Sequence, residues 1–160
     1  MKGILERKNM LYDFLQANSI QAEIVECGAE VRTAEAVARA LQMPVSLIAK
    51  TLLFFADENP VLVIVSGASR VSTSKLCALL NARECRLATP EEVEEATGYE
   101  VGAVPPISVY GVPAILDSAL ARMEQIVCGG GTLKKLLKIS PKAVQEFGFE
   151  VKIADVSETR

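Results

Sequence analysis

The stretch Leu47-Ile48-Ala49-Lys50-Thr51-Leu52-Leu53-Phe54-Phe55 constrains this chain more than any other, because it is apolar apart from one lysine and one threonine. A short run of this kind reads as a largely buried strand. Successive strand side chains point to opposite faces, so Lys50 shares a face with Leu52 and Phe54, while Thr51, Leu53 and Phe55 take the other. A lysine on an apolar face must reach solvent along its own stem, find an anion, or lose its proton. Two later segments bear on the choice: Thr97-Gly98-Tyr99-Glu100-Val101-Gly102-Ala103-Val104-Pro105-Pro106 and Cys128-Gly129-Gly130-Gly131. Both carry glycines, where a backbone can approach a ligand closely.

The surrounding pattern mixes helices and strands. Residues 4 to 17 place Ile4, Leu5, Leu11, Phe14 and Leu15 mostly at helical spacing, and Ile20 to Val25 alternates as a short strand. Thr33 caps a helix through Leu41, with Pro44 just past its end. Strands are expected at 49 to 56 and 61 to 66, joined by Asp57-Glu58-Asn59-Pro60. Ser72 or Ser74 opens a helix through Leu80, and Glu84 to Leu87 is a short strand. Thr89-Pro90-Glu91-Glu92 has a capping hydroxyl, a first-turn proline and a glutamate three residues after the cap, and Gly98 ends that helix. Further strands are expected at Val112 to Leu116, Glu124 to Val127, Thr132 to Ile139 and Phe149 to Ile153, with a helix from Ser140-Pro141. Strict βαβ alternation is absent, and neither a repeat nor a linker interrupts the 160 residues. The expectation is one mixed α/β (α+β) domain spanning residues 1–160.

Composition narrows the function. No apolar stretch approaches the ~20 residues of a membrane span, and Met1 to Lys8 lacks the apolar region of a signal peptide. A cytoplasmic protein with no membrane partner is expected. Cys27, Cys77, Cys85 and Cys128 are scattered without a CxxC pair, which supports neither a disulfide framework nor a zinc knuckle. The chain has no histidine. This removes Ser-His-Asp and Cys-His machinery and histidine-ligated metals, and leaves Lys, Asp/Glu, Cys, Tyr, backbone amides or the substrate's own groups. The net charge of −3 argues against a general nucleic-acid binder, yet the charge is uneven. Arg70, Lys75, Arg83 and Arg86 meet one acid, Glu84, between positions 70 and 86, and Lys134, Lys135, Lys138 and Lys142 form a second basic stretch. Either could hold phosphate backbone or be a solvated face.

Single motifs are ambiguous. Gly129-Gly130-Gly131 has no Walker continuation, so it reads as a bulge or turn, or as a wall of amides beside a small substrate. Pro105 and Pro106 stiffen their loop and leave the Gly102 and Ala103 amides able to face an oxyanion. Asp117 is a turn-former or helix cap unless the fold brings it to Lys50. Cys128 is a small apolar liner or a buried inert thiol.

Taken together and in order, Thr33 to Ala38, Ile48 to Leu52, Thr97 to Pro106, Ile115-Leu116-Asp117 and Val127 to Gly131 resemble the YbaK/EbsC family of aminoacyl-tRNA deacylases. That domain is also found inserted in some prolyl-tRNA synthetases. The resemblance covers nearly the whole chain. It implies a curved mixed sheet, partly barrel-like and flanked by helices, and hydrolysis of wrongly charged tRNA, most often tRNA for proline. It implies no cofactor and no metal, with aminoacyl-tRNA as partner and prolyl-tRNA synthetase as a further candidate. By the same resemblance Lys50 stands for the family's essential lysine and Gly102 to Pro106 for its GxxxP loop, with Gly102 lining the pocket. Thr33, Thr51, Ala103, Pro106, Asp117, Cys128, Gly129 and Gly130 are then the substrate-binding candidates. Arg70, Lys75, Lys134 and Lys135 are the candidates for tRNA phosphates. In the branch that removes cysteine, Ser precedes the paired glycines and Asp follows them. Here Cys128 takes the first place, Thr132 to Lys135 offers no acid, and Thr33 stands where an aromatic is expected, so the amino acid removed stays open.

The chemistry is compatible with the inventory of residues. An aminoacyl ester already has a fair leaving group in the ribose hydroxyl, so a pocket, a cation and oriented amides can suffice. The competing readings are a non-catalytic module that binds tRNA, a nucleotide or a protein on the same fold, and a generic acyl-ester hydrolase. The pocket is expected to be small, formed by Thr33, Gly102, Cys128 and Gly129 around Lys50.

Overall fold

A computed structural model describes the backbone of residues 2–160 and the side chains of residues 10–160. The chain runs α1 (Lys2–Ala17), β1 (Glu23–Glu26), α2 (Ala34–Leu41), a 3-10 turn (Val45–Leu47), β2 (Ala49–Ala56), β3 (Asn59–Ser66), β4 (Ser69–Val71), α3 (Thr73–Leu80), β5 (Cys85–Leu87) and α4 (Pro90–Thr97). It continues through β6 (Ala114–Asp117), α5 (Ser118–Ala121), β7 (Ile126–Gly129), β8 (Lys135–Ile139), α6 (Pro141–Phe147), β9 (Val151–Ala154) and β10 (Ser157–Thr159). Ile4 and Leu5, expected on the apolar side of the first helix, lie outside the described side chains; Leu11 and Leu15, one turn apart, are buried.

The central sheet has the order β5-β2-β3-β6-β9. β2 pairs antiparallel with both β3 and β5, whereas β3–β6 and β6–β9 are parallel. Both faces are covered, so β3 reads as a continuous apolar run rather than an alternating one. The period of two in β2 divides its side chains between two cores. Ala49 and Leu53 join Leu62, Ile64, Ala114 and Leu116 under α1, α4, α5 and α6. Phe54 and Ala56 join Val61, Val63, Val65 and Ile115 under Leu76 of α3. Each of the Val, Leu, Ile and Phe side chains among them contributes about 1.5–3 kcal/mol over leaving it exposed.

A second sheet, β1-β8-β7, is antiparallel throughout. It meets the first at one isolated parallel bridge, Ile48↔Val127. Past that bridge β2 and β7 diverge. The result is the curved mixed sheet flanked by helices that the resemblance implies, with the two sheets parting instead of closing into a full barrel.

Capping explains the helix starts. Thr33, Ser72, Thr89 and Ser140 each accept a backbone N–H three residues on, and Thr89 with Glu92 forms a reciprocal capping box. Strand edges moved more. The expected strand from Thr132 begins only at Lys135, because Thr132 accepts from the Lys134 amide and turns the chain first. The strand expected at Glu124 to Val127 runs from Ile126 to Gly129, which places the first glycine inside the ladder. β4 and β10, short strands paired antiparallel with each other, were not expected at all.

Candidate functional site

The divergence of β2 from β7 leaves a cleft of about 270 Å³. Its lining includes Thr33 and Glu35 at the start of α2, Lys50 and Thr51 on β2, Gly102 and Val104 on the loop after α4, and Cys128 and Gly129 on β7. Arg160, just past β10, lines it from a third side. The volume lies at or below the lower end for sites that take drug-sized ligands, so it suits a small ligand group.

Lys50 sits near the start of β2, half-buried, and its ammonium makes no hydrogen bond or ion pair among the described residues. Burial pushes its pKa below the usual lysine value, the Arg160 charge pushes the same way, and Glu35 opposes both. Its neighbour Thr51 has a buried hydroxyl with no hydrogen-bond partner. A polar group left so costs about 1–3 kcal/mol. Folding alone does not reward either arrangement, and both residues line the same cleft.

The opposite wall depends on two glycines. Gly102 is the third residue of a β-turn closed by the Ala103 amide donating to the Glu100 carbonyl (3.0 Å), and its φ of +89° is one that L side chains rarely adopt. Among the described residues the Gly102 amide has no partner, so it is free to donate to a ligand, whereas the Ala103 amide is occupied. Gly129 permits a close approach: a Cβ there would lie 2.5 Å from the Val104 carbonyl oxygen. The Gly131 amide donates to the Ala103 carbonyl (2.9 Å) and ties the loop to β7. Behind the loop Tyr99 Oη and Ser108 Oγ are 2.7 Å apart and buried. The wall is therefore held rigidly.

Thr33 lines the cleft while its hydroxyl oxygen accepts the Ala36 amide (3.1 Å), which leaves its own hydrogen available to donate. Cys128 is 1 % exposed, its thiol donates weakly to the Leu137 carbonyl (3.4 Å), and burial pushes its pKa up. It contributes shape and no nucleophile.

The remaining sequence candidates lie elsewhere. Ala103 and Pro106 are buried and outside the cleft lining, as is Gly130, where a Cβ would meet the Lys135 carbonyl at 2.5 Å. Asp117 does not reach Lys50's cleft either. It is 1 % exposed, caps α5 through the Ala119 amide (3.3 Å), and accepts from the Val156 amide (2.9 Å) and Ser157 Oγ (3.1 Å). Two of the phosphate candidates are already paired: Arg70 with Glu158 (2.9 Å) and Lys75 with Asp155 (3.1 Å). Lys134 is exposed, and Lys135 stands across from Glu26 in the β1–β8 ladder.

Glu35 and Arg160 were not singled out in the sequence. Glu35 was visible only as a first-turn acid of α2. Arg160 gave no local signal, since its place depends on strands far apart in the chain.

Comparison with known proteins bears on this site. A sequence model of the aminoacyl-tRNA editing domain matches residues 28–147. The proline–tRNA ligase of Halalkalibacterium halodurans is 35 % identical over 116 residues, which is 72 % of this chain and 20 % of the ligase. The chain thus spans about a fifth of the length of that relative. The uncharacterized protein YwhH of Bacillus subtilis is 28 % identical over 93 % of this chain and 95 % of its own. A crystal structure described as that of a candidate trans-editing enzyme for prolyl tRNA synthetase superposes with a TM-score of 0.83 at 32 % identity, covering 95 % of this chain and 97 % of that one. The matched segment runs from the turn before α2 to the end of α6 and so contains every cleft wall except Arg160; the chain belongs to the aminoacyl-tRNA editing domain family.

Proposed function

We propose that this chain is a trans-acting editing hydrolase that removes a small wrong amino acid from aminoacyl-tRNA, with tRNA for proline as the substrate. The observation that carries the reading is the unpaired, half-buried ammonium of Lys50 in a small cleft beside the free Gly102 amide. Membership of the editing family and the likeness to a protein described as a candidate trans-editing enzyme for prolyl tRNA synthetase support it.

The chemistry needs little from the protein. Water attacks the ester carbonyl carbon, the carbonyl oxygen takes up negative charge, and the bond to the ribose oxygen breaks. The proton that water loses balances the one that the ribose oxygen gains. Lys50 would stabilise the developing oxyanion by charge, and the Gly102 amide by a preset hydrogen bond. Thr51 Oγ1 and the Thr33 hydroxyl would orient the acyl group. Small acyl groups fit between Thr33, Cys128 and Gly129, while bulky ones meet Cys128 and the rigid Gly102–Val104 wall.

The test is a panel of aminoacyl-tRNAs incubated with the protein, with release of each amino acid followed over time. Catalytic release of a small amino acid from tRNA for proline, and little release of aromatic ones, is expected. Release no faster than spontaneous hydrolysis for every member would overturn the reading and leave a binding module on the same fold.

A further inference from the structure

Arg160 is held in the cleft by more structure than an exposed ion pair requires. The segment before it, β10, pairs with β4 through Ser157↔Val71, Glu158↔Arg70 and Thr159↔Ser69. Asp117 anchors the start of β10 from inside the molecule through the Val156 amide and Ser157 Oγ. Lys75 Nζ donates to the Ser157 carbonyl (2.8 Å) and to Asp155 Oδ1 (3.1 Å). With the backbone pinned this way, the Arg160 guanidinium reaches across to the Glu35 carboxylate and to the Gly67 carbonyl oxygen (3.3 Å).

The charges around it point to an anion. Arg32, Lys50 and Arg160 line the cleft against a single acid, Glu35. Arg32 faces Glu30 at 3.1 Å on the same loop, so that carboxylate stays beside it, whereas Glu35 and Arg160 stand on separate elements. Glu35 and Arg160 leave 47 % and 51 % of their side chains exposed, and an ion pair that open is held weakly and exchanges readily. A guanidinium offers a planar fork that matches phosphate oxygens, which a lysine does not.

We infer that Arg160 is a phosphate-reading residue of this cleft: it leaves Glu35 and takes the 5′ phosphate of the nucleoside whose ribose carries the acyl ester. An ester carbonyl held at Lys50 leaves its ribose toward the cleft mouth. The phosphate attached to that ribose is the first anion along the chain, and Arg160 is the cation that meets it. The position of the ester rests on the editing reading, whereas the phosphate contact has its own readout. Glu35 acts as the stand-in anion that holds the guanidinium ready when no ligand is bound.

The experiment compares binding of two stable probes, 3′-alanylamino-3′-deoxyadenosine with and without a 5′-phosphate, by titration calorimetry or NMR. The native protein is expected to prefer the phosphorylated probe about tenfold, the scale of one well-placed charge-assisted contact. Arg160→Ala should bring that ratio close to one. Arg160→Lys should keep part of it. Glu35→Gln, which removes the competing carboxylate, should raise the ratio roughly two- to fivefold. A native ratio near one, or a ratio unchanged in Arg160→Ala, would overturn the inference. The editing reading stands or falls separately on deacylation by the native protein: active protein with a flat ratio sinks only the phosphate contact, and inactive protein with an Arg160-dependent ratio sinks only the hydrolysis.

Discussion

Lys50 and Asp117 are charged residues on β2 and β6, two strands that flank β3 in one sheet, and they are used in opposite ways. Asp117 is wholly buried, yet its oxygens receive two backbone amides and one hydroxyl. Such a carboxylate is satisfied by the fold itself and lies outside the cleft. Lys50 is only half-buried, but nothing among the described residues pairs with it, and the hydroxyl beside it is unpartnered too. What marks a site here is unmet bonding capacity, not burial or charge as such.

The largest expected effect would break this contrast at the lysine. Lys50→Met should lower the deacylation rate by ~10²–10³ or more, the usual loss when a group that stabilises an oxyanion is removed. The same variant should be slightly more stable than the native protein, by some tenths of a kcal/mol, because water still screens a half-exposed ammonium. The sign follows from the depressed pKa: the penalty is fully present below the folded-state pKa and vanishes as pH rises toward the ordinary lysine value near 10.4. Denaturant melts of both proteins at neutral and alkaline pH would check it. A Lys50→Met protein that is less stable would mean that the lysine supports the fold.

Asp117→Ala should show the reverse pattern. Leaving the Val156 amide and its neighbours without their acceptor should cost about 3 kcal/mol, or roughly 6–12 °C in melting temperature for a chain of this size. Activity per folded molecule should fall far less than in Lys50→Met. An unchanged melting temperature would remove the anchoring role.

A smaller and more selective change is expected at Cys128. Cys128→Met should slow release of the larger accepted amino acids first, with the smallest surviving longest, by tens-fold across the series. Equal slowing of every acyl group would show that Cys128 does not bound the acyl pocket.

The smallest effect concerns long-range charge. Neutralising Lys134 and Lys135 together should reduce the magnitude of the log–log salt slope of tRNA binding by about 1.4–1.8. Neutralising Arg70 and Lys75 should change it less, since Glu158 and Asp155 compete with phosphate for them. Equal slopes for both double variants would make the pairing irrelevant to tRNA.

Much of this was legible in the sequence where the cause is local. The period of two along Leu47 to Phe55 set apart the faces of Lys50 and Thr51, and hydroxyls at Thr33, Ser72, Thr89 and Ser140 marked helix starts. The site was less legible because its walls join distant parts of the chain. The glycines after Cys128 could be read as amides facing a ligand, but at Gly129 the missing side chain makes room for the Val104 carbonyl. Asp117 reads from its position as a turn-former or cap, and it caps α5, but its hold on Val156 and Ser157 spans some 40 residues and leaves no local mark. β4 and β10 are only three residues each and carry no alternation to detect. Without them nothing in the sequence brings Arg160 to Lys50.

The isolated Ile48↔Val127 bridge has a consequence for how such a domain can diverge. One backbone rung joins the two sheets, while Leu53 and Leu62 of the first and Ile126 and Cys128 of the second belong to one buried core. Thr33, Thr51 and Gly102 belong to no buried apolar cluster. Exchange of Thr51, whose hydroxyl has no partner, can therefore reshape the cleft at little cost to folding, whereas exchange of Thr33 also removes the α2 cap and costs about 1 kcal/mol. Preference for one amino acid can drift across generations without each step first having to rescue the fold.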